Sequence, residues 1–159
     1  MSISRREFIK LTGTTVVCAC AVGAMGTSGC TAKRGISDTP SAPEGSYRRE
    51  GDGVIVALSE VDDLKAIGGA VKFTLYDEDD SELKVIVVHS GDEDYQAFAD
   101  WCTHKGKELN YLHEEGKLAC SGLGSQFDLA GNVVTGPAKD ALLRYRLRRE
   151  GEELVIEVG

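Results

Sequence analysis

From residue 51 onward the apolar side chains recur at every second position, and that rhythm commits the chain to β-strands with one buried face. Val71, Phe73 and Leu75 alternate with Lys72, Thr74 and Tyr76 ahead of the acidic turn Asp77-Glu78-Asp79-Asp80. Leu143, Tyr145 and Leu147 alternate with Arg144, Arg146 and Arg148. After the turn at 149–152, Leu154, Ile156 and Val158 alternate with Val155 and Glu157. Residues 85–88 are apolar throughout, which predicts a strand buried on both faces. A further strand is expected over 54–58, while 59–67 has room only for a short helical turn before Gly68-Gly69. No repeat or long helical pattern interrupts the series. The expectation is an all-β fold, one small antiparallel β-sandwich or barrel of about a hundred residues, a size at which a single core suffices.

The first thirty residues stand apart from that domain. Arg5 and Arg6 precede Phe8, Ile9 and Lys10, and residues 11–29 then carry no charge. The pair followed by a mildly apolar stretch reads as a twin-arginine export signal. Nineteen residues also just reach across a hydrocarbon core, so an uncleaved signal anchor is open as well. Thr27-Ser28-Gly29-Cys30 resembles a lipobox, which would make a lipidated Cys30 a second route to membrane attachment. The expected location is the periplasm or the outer face of the cytoplasmic membrane.

Residues 31–50 hold two of the chain's three prolines and no apolar period, and read as a linker ahead of a domain at 51–159. The whole chain has a net charge of −8, and beyond the leader 15 basic residues face 25 acidic ones. Such a surface repels a phosphate backbone, so no nucleic-acid partner is expected. Gly122 and Gly124 make only a fragment of a phosphate-binding loop with no helix behind it, which gives nucleotide binding no support.

Cysteine usage narrows the function. Three of the five cysteines, Cys18, Cys20 and Cys30, lie in the leader, so Cys102 and Cys120 belong to the domain. Cys102-Thr103-His104 and Cys120-Ser121-Gly122-Leu123 sit in two Gly-bearing loops separated by fifteen residues, 105–119. Two thiolates and an imidazole delivered by facing loops suggest a metal site. His113, inside the spacer, reads as a solvated hairpin residue and His89 as a strand-end residue. Trp101 reads as a core anchor, and the Arg144, Arg146, Arg148 stripe as a solvated strand face.

This pattern resembles the Rieske iron-sulfur family, whose motif is Cys-x-His, a spacer of similar length, then Cys-x-x-His. Gly124-Ser125-Gln126-Phe127-Asp128 is similar to the segment that follows in the family, and Gly136-Pro137-Ala138 to its Gly-Pro loop. The resemblance implies a Rieske-like β-fold with a cluster-binding loop subdomain and a 2Fe-2S cluster. Cys102 and Cys120 would ligate one iron and His104 the other; Ser125 would hydrogen-bond a bridging sulfide, and Gly136 and Pro137 would cover the cluster. The second imidazole belongs at position 123, which is Leu. Phe127 stands where high-potential members carry a tyrosine donor, and Lys107 and Gly122 where they carry a disulfide. No catalytic residue is expected. The implied role is an electron carrier or small subunit that meets a redox partner protein or membrane complex. The competing expectation is a cofactor-free structural or interaction module on the same fold.

Overall fold

The computed structural model describes residues 38–77, 79–122 and 124–159. Arg5, Arg6 and Cys30 of the expected export signal, and Leu123, where the resemblance implies the second imidazole, lie outside the described residues.

Eleven strands run in the described chain: β1 (Tyr47–Glu50), β2 (Gly53–Ala57), β3 (Ala70–Tyr76), β4 (Glu82–Gly91), β5 (Asp94–Ala99), β6 (Leu109–Leu112), β7 (Lys117–Cys120), β8 (Gln126–Asp128), β9 (Val133–Thr135), β10 (Arg144–Glu150) and β11 (Glu153–Glu157). Seven of them form one antiparallel sheet in the order β1-β2-β11-β10-β5-β4-β3, and the other four, β6-β7-β8-β9, form a second sheet inserted between β5 and β10. Two short 3-10 turns, Leu58–Glu60 and Asp62–Leu64, fill the interval after β2.

The alternating strands pack where their period sends them. Val71 and Phe73 pair with Val87 and Val85 across β3 and β4. All four belong to the core of the large sheet, with Val54, Val56, Leu154 and Ile156. The apolar run of β4 serves two cores at once. Val85 and Val87 face the first, whereas Ile86 and Val88 join Phe98, Leu109, Leu118 and Phe127 in a second core beneath the small sheet. One uninterrupted apolar strand is therefore the shared wall between the sheets, and Cys102 and Cys120 are part of the core on its far side.

Residues 38–50 of the stretch read as linker are described, and they include a strand. Tyr47–Glu50 is a polar edge strand held by Arg48 to Glu153 (3.0 Å). Edge strands need no apolar face, which is why composition hides it. Earlier, Lys72 N donates to Pro40 O (2.9 Å) and Ala42 N to Lys72 O (2.7 Å), so residues 40–42 lie along β3 and lead toward β1. The segment thereby joins the two ends of the seven-stranded sheet and nearly closes it into a barrel. On its other side Thr39 N donates to Asn110 Oδ1 (3.1 Å) and Tyr111 N to Thr39 Oγ1 (2.8 Å), tying the same segment to β6 of the small sheet.

Candidate metal centre

Three loops converge at one end of the small sheet. The first leaves β5 and carries Cys102 and His104. Cys102 N donates to Lys107 O (2.6 Å) and Gly106 N to Cys102 O (2.7 Å), so residues 102–107 close on themselves. Gly106 takes φ 66°, a left-handed conformation that a side chain disfavours. The base of the loop is clamped by Asp100, whose Oδ1 accepts the Leu109 N–H at 2.7 Å. The Asp100 side chain is only 5% exposed, and burial pushes its carboxyl up from 3.8 to about 6. The Leu109 N–H and Lys72, whose Nζ lies 3.9 Å away, oppose that rise without cancelling it.

The second loop begins at Cys120, paired with Leu109 across β6 and β7. Cys120 N donates to Ser125 O (2.8 Å). Ser121 N reaches across to Glu108 O (2.9 Å), which joins the second loop to the first. A Cβ built at Gly122 would come 3.1 Å from Lys107 Cγ. The two positions that the family resemblance assigns to a disulfide in other members are therefore neighbours here.

The third loop holds Gly136 and Pro137, joined by a cis peptide bond. Ala138 N donates to Ser125 Oγ at 3.0 Å, and Ser125 is fully buried. Thr103 Oγ1 donates to Asp140 O (2.7 Å), which returns the third loop to the first. Each loop is thus hydrogen-bonded to the other two. The ring holds Cys102, 1% exposed, and Cys120, 3% exposed.

Within this frame His104 Nδ1 is buried and has no hydrogen-bond partner among the described residues. A buried ring nitrogen without a partner costs free energy on the order of 1–3 kcal/mol, and a coordinate bond to a metal removes that cost. The two buried cysteines on adjoining loops bring two sulfur atoms to the same ring. Among the described residues no three Cys, His, Asp or Glu side chains gather to hold a single ion. By donor type alone, two thiols and one imidazole match three of the ligands that the resemblance implies. Leucine at 123 does not fit, because it has no lone pair to offer.

The fold and this donor set converge with a match of residues 54–146 to the Rieske [2Fe-2S] domain. The chain belongs to the Rieske iron-sulfur family. It is similar to the cytochrome b6-f complex iron-sulfur subunit of Chlorobaculum thiosulfatiphilum, 33% identical over 76 residues that make up 48% of this chain and 41% of that protein. Similarity to the cytochrome b6-f complex iron-sulfur subunit 1 of Nostoc sp. is 36% over 55 residues, 35% of this chain and 31% of the relative. This Rieske chain thus aligns with less than half the length of these curated relatives. Among solved structures, the plasma membrane Rieske protein of the cyanobacterium Synechocystis PCC 6803 matches 54% of this chain and 84% of its own, at 27% identity and a TM-score of 0.46. The ferredoxin of carbazole 1,9a-dioxygenase from Nocardioides aromaticivorans matches 70% and 96%, at 21% identity and a TM-score of 0.49.

The remaining expected residues fall in different places. Phe127 is fully buried in the second core. Trp101 is 44% exposed, so it is not the expected core anchor: the chain leaves the sheet there to enter the first loop. His113 sits at the far end of the β6–β7 hairpin and is exposed, as a solvated hairpin residue should be; its ring also lies against Gly68, where a Cβ would overlap it. His89 is 6% exposed at the end of β4, stacked on Tyr95 with centroids 4.2 Å apart. Asp100 and the Thr103–Asp140 clasp were not anticipated. Only the closeness of Asp100 to Cys102 in the chain hinted at them.

Proposed function

We propose that this Rieske protein is an exported electron carrier, or the small subunit of a membrane-associated redox complex, and that it holds a 2Fe-2S cluster through Cys102, Cys120 and His104. The supporting observation is the buried His104 Nδ1, without a hydrogen-bond partner among the described residues, in a ring of loops that also buries both cysteines. When bound, such a cluster supplies one-electron transfer. The chain's own residues hold and shield it. Cys102 and Cys120 supply thiolates and His104 an imidazole, while Phe127 keeps water from the core side. Ser125 Oγ accepts from Ala138 N, so its proton is free to be donated toward a sulfide. Gly136 and Pro137 form the cover. Phe127 offers no hydroxyl to a cysteine sulfur, and loss of such a donor favours the oxidised state and a low potential. Leu123 leaves the second iron one imidazole short, so affinity falls below that of a complete site.

That same leucine supports the competing reading, a cluster-free interaction module, and one measurement separates the two. Protein purified without oxygen from its native compartment should carry about two irons and two acid-labile sulfides per chain, and His104→Ala should lose them. Iron-free wild type from an oxygen-free preparation would establish the module reading.

A further inference from the structure

Residues 38–159 hold 13 basic and 25 acidic residues, yet the loops around the candidate centre carry three exposed lysines. Lys105 follows His104 in the chain. Lys107 closes the first loop and lies against Gly122 of the second. Lys139 precedes Asp140, whose carbonyl accepts the Thr103 hydroxyl at 2.7 Å. The three lysines therefore stand around His104, one beside it in sequence, one toward the second loop and one on the third. Of the carboxylates on the same stretches, Asp100 is buried and Glu108 lies 3.5 Å from Lys72, which leaves Asp140 against three cations. Other cations of the domain are neutralised at short range: Arg48, Lys65, Lys84 and Arg148 each have a carboxylate at 3.0 Å or less. Lys105, Lys107 and Lys139 pair with none among the described residues.

Screening decides what such a surface attracts. At physiological ionic strength, exposed charges more than about 8 Å apart are largely hidden from one another. A body that approaches the loops therefore meets the lysines before the acids of the barrel. We infer that the loop end docks an acidic patch of a partner protein, its carboxylates set on Lys105, Lys107 and Lys139. The inference rests on the carrier reading and deepens it, because a partner seated there exchanges electrons with a cluster held by the same loops. Solvated rim charges speed encounter more than they prolong it, which suits a carrier that must release its partner. An anionic membrane fits less well, since a broad lipid surface brings the domain's many acids within range together with the loops.

The test uses the full chain and a capped, fluorescein-labelled octaglutamate. Fluorescence anisotropy should show saturable binding at about 0.1 M salt that weakens severalfold by about 0.4 M. Lys105→Glu, Lys107→Glu and Lys139→Glu together should cut affinity about tenfold or more. The same charge change made by Arg49→Glu, Arg144→Glu and Arg146→Glu, at cations that also pair with no carboxylate among the described residues, should leave affinity within about twofold. No binding of octaglutamate, or an equal loss in the two triple variants, would overturn the proposal. Phosphatidylglycerol vesicles that sediment wild type but not the lysine variant, with octaglutamate unbound, would assign the lysines to a membrane instead. Iron per chain should be the same in the lysine variant as in wild type, so the two readings fail separately: iron-free wild type refutes the carrier, and unbound octaglutamate refutes the docking surface. Circular dichroism melting separates lost binding from lost fold, and Lys105→Glu with Lys139→Glu carries the same comparison should the triple variant unfold.

Discussion

Asp100→Asn should stabilise the protein at neutral pH, although it alters a buried residue beside the candidate centre. Asp100 is nearly sealed from water, and burial lifts its carboxyl from 3.8 to about 6. The folded state therefore keeps a proton that the unfolded chain releases. This group's favourable contribution is complete below about pH 4 and is lost as pH rises through about 6. The difference between 3.8 and about 6 corresponds to about 2–3 kcal/mol, carried as a penalty by the ionised form at pH 7. Asparagine keeps the carbonyl that accepts the Leu109 N–H, and Lys72 retains Glu108 at 3.5 Å. Urea unfolding of the iron-free protein under reducing conditions, for wild type and variant at pH 4, 5, 6 and 7.5, reads the result. The variant should gain about 2–3 kcal/mol at pH 7.5 and converge with wild type near pH 4. A variant less stable than wild type at pH 7.5, or a difference that does not change with pH, would refute the argument.

Leu123→His should raise iron retention and give the reduced protein the electron paramagnetic resonance of a histidine-ligated cluster, with a pH-dependent potential; no gain in iron would show that the loops do not carry cluster geometry. Gly69→Ala should cost about 3 kcal/mol or more in urea unfolding, because the new Cβ would overlap the Asp63 carbonyl oxygen and backbone cannot swing aside. Changing Arg5 and Arg6 together to Lys should leave the protein in the cytoplasm on cell fractionation, and Cys30→Ala should release exported protein from the membrane if that cysteine is the anchor.

What sequence could show depended on length and locality. β3, β10 and β11 are long enough for period two to emerge, β4 shows instead as an unbroken apolar run, and the register matches both signals. β6 to β9 are three or four residues each, too short to show any period, so the small sheet was legible only through the motif spacing it supports. Residues 40–50 looked like linker because their partners, Lys72 and the β2 and β11 strands, are supplied from elsewhere in the chain. Cys102, His104 and Cys120 were visible because ligation needs specific side chains at specific spacings. The bonds that seat them, Asp100 to Leu109 and Thr103 to Asp140, join residues 9 and 37 positions apart. Trp101 lies outside the core because the chain bends as it leaves β5, and no local residue pattern marks that bend.

The segment 38–42 also decides how the domain bears a load. Tension applied through the chain at Asp38 meets two attachments in series, first to β6 through Thr39 and then to β3 through Pro40 and Ala42. The parallel bridge between Ser41 and Lys72 sets part of this joint along the strand direction, so its bonds resist together in shear instead of opening one at a time. A pull from the N-terminal side is therefore shared between the loop-bearing sheet and the barrel.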